Sequence, residues 1–299
     1  MKRIKEKIRY IFVLLTMVLI LNFVMQLVAD MVLLESDKSQ ENVEQIGTKG
    51  EEMQVHFLDV DQGLCVLVQL GEQVLIYDGG ERDTSSFVVS YVKSLGITEI
   101  DYMISSHYDS DHVSGLIGCL NAFDVKRVIA SDYEHNSKLY SSFMEAVEAE
   151  GVTIEYPEVG EKYAFGEGVI TILSPKDIKK DSNANSVAIK LSYGESDFIF
   201  TGDADYGSER DMVASGIDLD CEVLSLGHHG SASSSSSLFL ENTLPEAVVI
   251  SCGKDNSYGH PHVEVMELLE AMEIDVYRND IQGTVIATTD GKTIRWNLK

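Results

Sequence analysis

At 299 residues, with 49 acidic and 23 basic side chains, the chain carries a formal net charge of −26. That balance argues against extended contact with a nucleic-acid backbone, which rests on Lys and Arg, but leaves room for one phosphate group held by a metal. Four cysteines, Cys65, Cys119, Cys221 and Cys252, show no CxxC spacing, so a cysteine-only zinc site is not expected and they read as buried free thiols.

Lys2, Arg3, Lys5, Lys7 and Arg9 precede an apolar stretch from Tyr10 to Val28, interrupted only by Thr16, Asn22 and Gln26, and apolar residues resume at Met31 to Leu34. A membrane-spanning helix needs roughly 20 such residues. The basic cluster predicts a cytoplasmic end (residues 1–9), one uncleaved anchor (10–34) and an extracellular remainder. A cleaved signal peptide fits less well: the run is long and Leu27-Val28-Ala29 is a poor cleavage site. Residues 35–52 are polar, acidic and Gly-punctuated, the composition of a flexible linker. Residues 53–299 suffice for one large α/β domain with a sizeable core. From residue 31 on the chain holds 18 basic against 47 acidic residues, a net −29.

Hydrophobic patterning predicts strands at Gln54 to Val60, Cys65 to Leu70 and Gln73 to Tyr77, with Gly71-Glu72 as a hairpin turn. A helix follows over Ser85 to Leu95, then a strand over Ile100 to Ser105 and a helix over Val113 to Phe123. Lys126 to Ala130 reads as a strand, and Ser137 to Glu150 as a helix ended by Gly151. The second half repeats this grammar. Strands are expected at Val169 to Leu173, Val187 to Tyr193, Asp197 to Thr201, Cys221 to Leu226 and Ala247 to Ser251. Helices are expected at Tyr206 to Ala214, Leu238 to Asn242 and His262 to Met272. Thr284 to Thr288 and Thr293 to Leu298 close the chain as strands. Two sheets packed face to face with helices outside account for this order. Ser231 to Ser237, with six serines, reads as a linker loop.

His107-Tyr108-Asp109-Ser110-Asp111-His112 sits where a strand gives way to a helix. Four of these six residues can bind a metal, and packing them so closely is costly unless a cation offsets the repulsion. Capping the helix would need one of them, not four. Phe198 to Thr201 ends on Gly202-Asp203, and Cys221 to Leu226 ends on Gly227-His228-His229-Gly230. Asn256 to His262 carries His260 and His262. Six of the eight histidines thus fall at three strand ends, whereas His56 and His135 read as structural or surface groups. Mixed imidazole and carboxylate ligands suit zinc or manganese.

These motifs, with Phe57-Leu58-Asp59-Val60-Asp61-Gln62-Gly63, Asp78-Gly79-Gly80 and Asn185-Ser186, resemble the metallo-β-lactamase superfamily. More closely they resemble the hydrolase domain of the ComEC family of competence DNA-uptake proteins, over about Met53 to Asn297. The resemblance implies a four-layer αββα sandwich, here preceded by one transmembrane helix. It implies two divalent ions, zinc or manganese: His107 and Asp109 on one, Asp111, His112 and His228 on the other, with Asp203 bridging. Asp78 would hold a ligand in place. Asp111, His229 and His260 would serve catalysis, orienting the attacking water or contacting substrate. Asp59, Gln62, Asn185 and Ser186 would support the ligands or touch substrate. Arg278, read from the residues alone, could clamp one phosphate. The chain departs from the family pattern where Asp109 replaces a usual histidine. A further histidine has only His135 available, its place taken by the Asn185-Ser186 region. This makes the first ion site oxygen-rich and shifts it toward manganese. The first loop also departs, with Asp61 and Leu64.

The expectation is a membrane-anchored, extracellular, metal-dependent phosphodiesterase or nuclease that attacks through a metal-activated hydroxide. Single-stranded nucleic acid and a cell-surface polymer are both open as substrate. Lactone or amide hydrolysis, cell-wall phosphoester hydrolysis and a non-catalytic metal-bound binding protein are the alternatives.

Overall fold

The computed structural model of the protein describes residues 51–298. The expected cytoplasmic end (1–9), the anchor (10–34) and most of the linker (35–52) lie outside the described residues. Among the described residues no helix is long and apolar enough to cross a membrane.

The first half runs β1 (Met53–Phe57), β2 (Val66–Leu70), β3 (Gln73–Tyr77), α1 (Ser85–Ser94), β4 (Glu99–Ile100), β5 (Tyr102–Ser105), α2 (Ser110–Leu120), β6 (Asp124–Val125), β7 (Val128–Ala130), α3 (Lys138–Glu150) and β8 (Ile154–Glu155). The second runs β9 (Lys162–Phe165), β10 (Gly168–Ser174), β11 (Ala188–Tyr193), β12 (Ser196–Phe200), α4 (Tyr206–Ala214), β13 (Val223–Ser225), α5 (Ser237–Thr243), β14 (Ala247–Ile250), α6 (Val263–Ala271), β15 (Asp275–Arg278), α7 (Asn279–Gln282), β16 (Val285–Thr289) and β17 (Ile294–Leu298).

These strands build an eight-stranded sheet, ordered β17-β16-β1-β2-β3-β5-β7-β8, and a seven-stranded sheet, ordered β15-β14-β13-β12-β11-β10-β9. A small β4-β6 pair stands apart. The period-2 alternation of the strands decides the layering. On β2, Val66, Val68 and Leu70 join the cluster between the sheets, while Leu67 faces the other way. On β12, Phe198 and Phe200 point inward and Ile199 outward. Phe200 packs its ring 6.1 Å from Phe57 and 5.5 Å from Tyr77, tying the two sheets at the centre.

Each outer face is closed by helices. Val88, Val92, Val113, Leu116, Phe143 and Val147 from α1, α2 and α3 cover the first sheet. Met212, Phe239, Leu240, Val265 and Leu269 from α4, α5 and α6 cover the second. The result is the expected four-layer αββα sandwich. Local signals placed the helix ends: Ser137 caps α3 by accepting from the Tyr140 N–H, and Asp205 caps α4 by accepting from the Ser208 N–H. The strands β4, β6, β8, β9 and β15 were not expected. At two to four residues they are too short for alternation to register.

Strands β3, β5 and β7 run parallel, as do β12, β13, β14 and β15. Their carboxyl ends therefore open on the same edge of each sheet. In open parallel sheets ligands bind outside those ends.

Candidate metal centre

The His107–His112 segment is the turn between β5 and α2, and its geometry begins with Asp78 at the end of β3. Asp78 is fully buried. Its Oδ1 accepts from the Ser106 N–H at 2.7 Å, and its Oδ2 accepts from the Ser106 hydroxyl at 2.6 Å and from His112 Nδ1 at 2.8 Å. The following Gly79-Gly80 turn lies against α2, where the Gly79 N–H reaches the His112 carbonyl at 2.6 Å. A Cβ on Gly115 would collide with the Gly79 carbonyl, so only glycine allows this approach. Asp109 is the N-cap residue of α2, yet its side chain makes no capping bond. The carboxylates of this turn are not spent on the helix.

From the second sheet, β12 delivers Asp203. Gly202 is left-handed, and a Cβ there would meet Ser106 Cβ at 2.6 Å. β13 delivers His228 and His229, both held in the left-handed region at φ 50° and 57°. Non-glycine residues in that region cost energy and cluster at functional sites. His229 Nδ1 donates to the Ser251 carbonyl at 2.8 Å, beyond the end of β14. His228 Nδ1 lies 2.9 Å from Ser233 Oγ. The serine-rich loop is thus more than a linker. Buried Glu209 on α4 accepts backbone N–H groups from Ser235 and from Ser236, the latter at 2.9 Å, and so fixes the loop that carries Ser233.

Ligand atoms of Asp111, His112, Asp203 and His229 all lie within 4.8 Å of one another. His112 Nε2 is 3.2 Å from Asp203 Oδ1, and His229 Nε2 is 3.4 Å from Asp111 Oδ2. A second, looser set gathers on the other oxygen of Asp203. Its Oδ2 lies 4.0 Å from His107 Nε2 and 3.4 Å from His228 Nε2, and His107 Nε2 lies 3.7 Å from Asp109 Oδ2. The Nε2 atoms of His107, His112 and His229 and the Oδ1 atom of Asp203 are buried without a hydrogen-bond partner among the described residues. Buried polar atoms are normally paired. Three imidazole nitrogens and a carboxylate oxygen left over together are the donor set a divalent cation takes.

The same crowding sets the protonation states. Burial disfavours a charged His112, but the carboxylates of Asp203, Asp78 and Asp111 outweigh it and hold the imidazole well above its ordinary value. Burial likewise opposes charge on His229, and Asp203 and Asp111 reverse it. His107 goes down, through burial and then the charge of His112. Burial would raise Asp111, yet His112 and His229 bring its carboxyl to about 2.

Asp109, Asp111, Asp203, His228 and His229 line a cleft of about 430 Å³, with Gln62, Tyr108, His135, Asn183, Tyr258 and His260 among its other walls, and His107 and His112 are fully buried. The structure exchanges the expected places of two histidines. His229 joins Asp111, His112 and Asp203, while His228 faces the His107 side. The left-handed turn, which reverses the two side chains, is the cause. Ser186 supports rather than lines the cleft: its Oγ accepts from the Asp203 N–H at 3.1 Å and lies 3.5 Å from His107 Nδ1. Asn185 is buried and ties its own loop through Lys179 and Asp181. Gln62 lies at the lip, 3.4 Å from His260 Nδ1. Two expected residues are not brought in. Asp59 is exposed and does not line the cleft. Arg278 is engaged by Asp280 at 2.6 Å and 3.0 Å, so its guanidinium forks onto a neighbour and not into the cleft. Asn183 was missed; its Nδ2 lies 3.5 Å from Asp203 Oδ2 and 3.4 Å from His228 Nε2. His135, read as a structural or surface group, also lines the cleft. Neither carried a local signal, because only loop packing brings them there.

The family model described as the metallo-beta-lactamase superfamily matches residues 58–254. The chain belongs to the metallo-beta-lactamase superfamily. Within it, the chain is similar to ComE operon protein 3 of Bacillus subtilis (strain 168), 29% identical over 253 residues, covering 78% of this chain and 33% of that protein. It is also similar to competence protein ComA of Neisseria gonorrhoeae, 30% identical over 230 residues, covering 76% of this chain and 31% of that protein. The ComEC-like resemblance read from the motifs is therefore borne out, and the chain spans about a third of the length of these curated relatives. Among solved structures, the metallo-beta-lactamase fold protein YhfI from Bacillus subtilis superposes with a TM-score of 0.54 at 15% identity, covering 80% of this chain and 100% of that one. At that identity the likeness establishes the shared metallo-beta-lactamase fold.

Proposed function

We propose that this superfamily member is a two-metal phosphodiesterase, held at the outer face of the cell membrane by its N-terminal apolar segment. One observation carries the metal reading. Asp203 turns one carboxylate oxygen to each of two ligand sets, beside imidazole nitrogens that have no other partner. Asp111, His112, Asp203 and His229 would hold one ion; His107, Asp109, Asp203 and His228 would hold the other. Bound zinc or manganese would lower the pKa of a water and neutralise charge on a phosphoryl or carbonyl oxygen. Each set offers two imidazole and two carboxylate donors, a mixture that suits zinc or manganese.

The protein's own groups do the rest. Asp78 and the Ser251 carbonyl hold the protons of His112 and His229 on Nδ1, so that each Nε2 keeps its lone pair toward the cleft. Tyr258 is exposed and stacks on His260 with the rings 20° apart and 5.6 Å between centroids, forming a flat lip at the opening. Among the described residues no Lys or Arg lines the cleft. With a net charge of −26 on the chain, this favours small or single-stranded phosphodiesters over duplex DNA; a cell-surface phosphodiester polymer fits the same criteria. The resemblance to competence DNA-uptake proteins favours nucleic acid. The test compares turnover of a bis-aryl phosphate, single-stranded DNA, duplex DNA and a lactone by the metal-reconstituted chain and by Asp111→Ala. The bis-aryl phosphate should be hydrolysed by the wild type and not by the variant. Efficient lactone hydrolysis with every phosphodiester untouched would replace this reading.

A further inference from the structure

The ring nitrogen that each cleft histidine turns away from the cleft decides what the other nitrogen offers. His112 Nδ1 faces the Asp78 carboxylate and His229 Nδ1 faces the Ser251 carbonyl. Both partners only accept, so Nδ1 carries a proton, and in the neutral ring that takes a metal Nε2 has the lone pair. His107 follows the same rule. Its Nδ1 lies 3.0 Å from Ser106 Oγ, whose own proton goes to Asp78, so Nδ1 donates.

His135 is the reverse case. Its Nδ1 lies 3.2 Å from the Ser137 backbone nitrogen, which can only donate. Nδ1 must therefore be the acceptor, and the proton of the neutral ring sits on Nε2. That Nε2 faces the cleft, 3.9 Å from Asp109 Oδ1, with the side chain about one-quarter exposed. To ligate through Nε2, His135 would have to give up that proton and the bond from the Ser137 N–H, so the arrangement favours a donor over the missing-ligand role that the sequence left open for it. His260 is of the same kind. Gln62 Oε1 accepts from the Gly253 N–H at 3.0 Å, which orients its amide nitrogen to donate to His260 Nδ1 at 3.4 Å.

The loop that carries His135 is fixed over the cleft. Tyr133 Oη donates to the Lys180 carbonyl at 2.9 Å, and the strand of chain beyond Lys180 brings Ser182, whose hydroxyl donates to Asp109 Oδ1 at 2.9 Å. The two loops that wall the His107 side are thus latched to each other.

We propose that His135 is a substrate-contacting residue, a fixed Nε2–H donor that binds an anionic oxygen of the substrate in a cleft that no Lys or Arg lines among the described residues. The inference deepens the hydrolase reading and rests on it for the identity of the substrate. It predicts a division of labour among the histidines, with ligands presenting a lone pair and substrate contacts presenting a proton.

The test uses the full chain, loaded with manganese, as wild type, His135→Ala and His135→Gln. Elemental analysis should find the same metal content in all three. Turnover of a bis-aryl phosphate by His135→Ala should show kcat/KM down by roughly 10- to 100-fold, the loss of one hydrogen bond to a charged group, with much of it in KM. His135→Gln, which keeps an N–H at similar reach, should recover part of it. Inorganic phosphate binding, measured by calorimetry, should weaken in parallel, so the inference is tested even if the wild type turns over no phosphodiester. Nitrogen-15 spectra of histidine-labelled protein should show His135 protonated on Nε2. A proton on Nδ1, loss of metal from His135→Ala, or unchanged phosphate affinity in that variant would each overturn the proposal. A wild type that binds phosphate through His135 but cleaves no phosphodiester would instead overturn the hydrolase reading alone.

Discussion

Replacing Asp78 by Asn should remove an ion without removing the fold. Asp78 has a left-handed backbone, φ 57°, which Asn tolerates better than other residues of its size. The change is isosteric, so packing is kept. What changes is the hydrogen-bond arithmetic. The carboxylate accepts three bonds: from the Ser106 N–H at 2.7 Å, the Ser106 hydroxyl at 2.6 Å and His112 Nδ1 at 2.8 Å. The amide nitrogen cannot face the Ser106 N–H, because both would be donors. It must take the Oδ2 position and donate toward Ser106 Oγ and His112 Nδ1. His112 Nδ1 then becomes an acceptor, its proton moves to Nε2, and the lone pair toward Asp203 is lost. Removing such a supporting partner typically costs 10- to 100-fold in metal affinity, about 1.4–2.7 kcal/mol. Competition titration against a chromophoric chelator should find at least the ion at His112 weakened by that factor. A thermal melt in EDTA should show the variant still folded. Wild-type affinity for both ions in a folded Asp78→Asn protein would refute the reasoning.

Asp203→Asn should abolish both ions, since both sets share that carboxylate; elemental analysis retaining about one ion per chain would contradict the bridging geometry. Metal affinity should rise with pH through and above neutrality, with protons released on binding, because an ion must displace the protons that the carboxylates hold on His112 and His229. In the metal-stripped chain the sign reverses. The raised value of His112 contributes stability that is complete below its ordinary 6.5 and lost as pH climbs through the raised value, so melting temperature in EDTA should fall with pH above 6.5. The four cysteines are free and buried, with burial pushing Cys65 well up and Cys119 and Cys252 to about 12. The folded chain should therefore resist a polar alkylating reagent, and the denatured, unreduced chain should titrate four thiols. Protease added to intact cells should remove the hydrolase domain if the N-terminal segment anchors it outside; cleavage only after lysis would reverse the topology.

The β5–α2 turn was legible because six consecutive residues carry its ligands and follow an apolar strand of clear length. Asp203 and the His228-His229 pair were legible for the same reason, as polar residues closing apolar runs. Two face-to-face sheets with helices outside followed from strand patterning and from strands preceding helices in each half, and the four-layer sandwich from the family resemblance. Which of His228 and His229 enters the compact set was not legible. Two successive left-handed residues decide it, and no side-chain pattern announces them. His135 and Asn183 were hidden because their place depends on one loop latching another through Tyr133 and Lys180, far apart in sequence. Arg278 was over-read: Asp280, two residues on, already takes both arms of its guanidinium.

The central claim is that two ions share Asp203. Anomalous diffraction from crystals of the chain grown with manganese tests it most directly. The account predicts two peaks, one among Asp111, His112, Asp203 Oδ1 and His229, the other among His107, Asp109, Asp203 Oδ2 and His228. No peak at Asp203, or a single ion held elsewhere in the cleft, would contradict it.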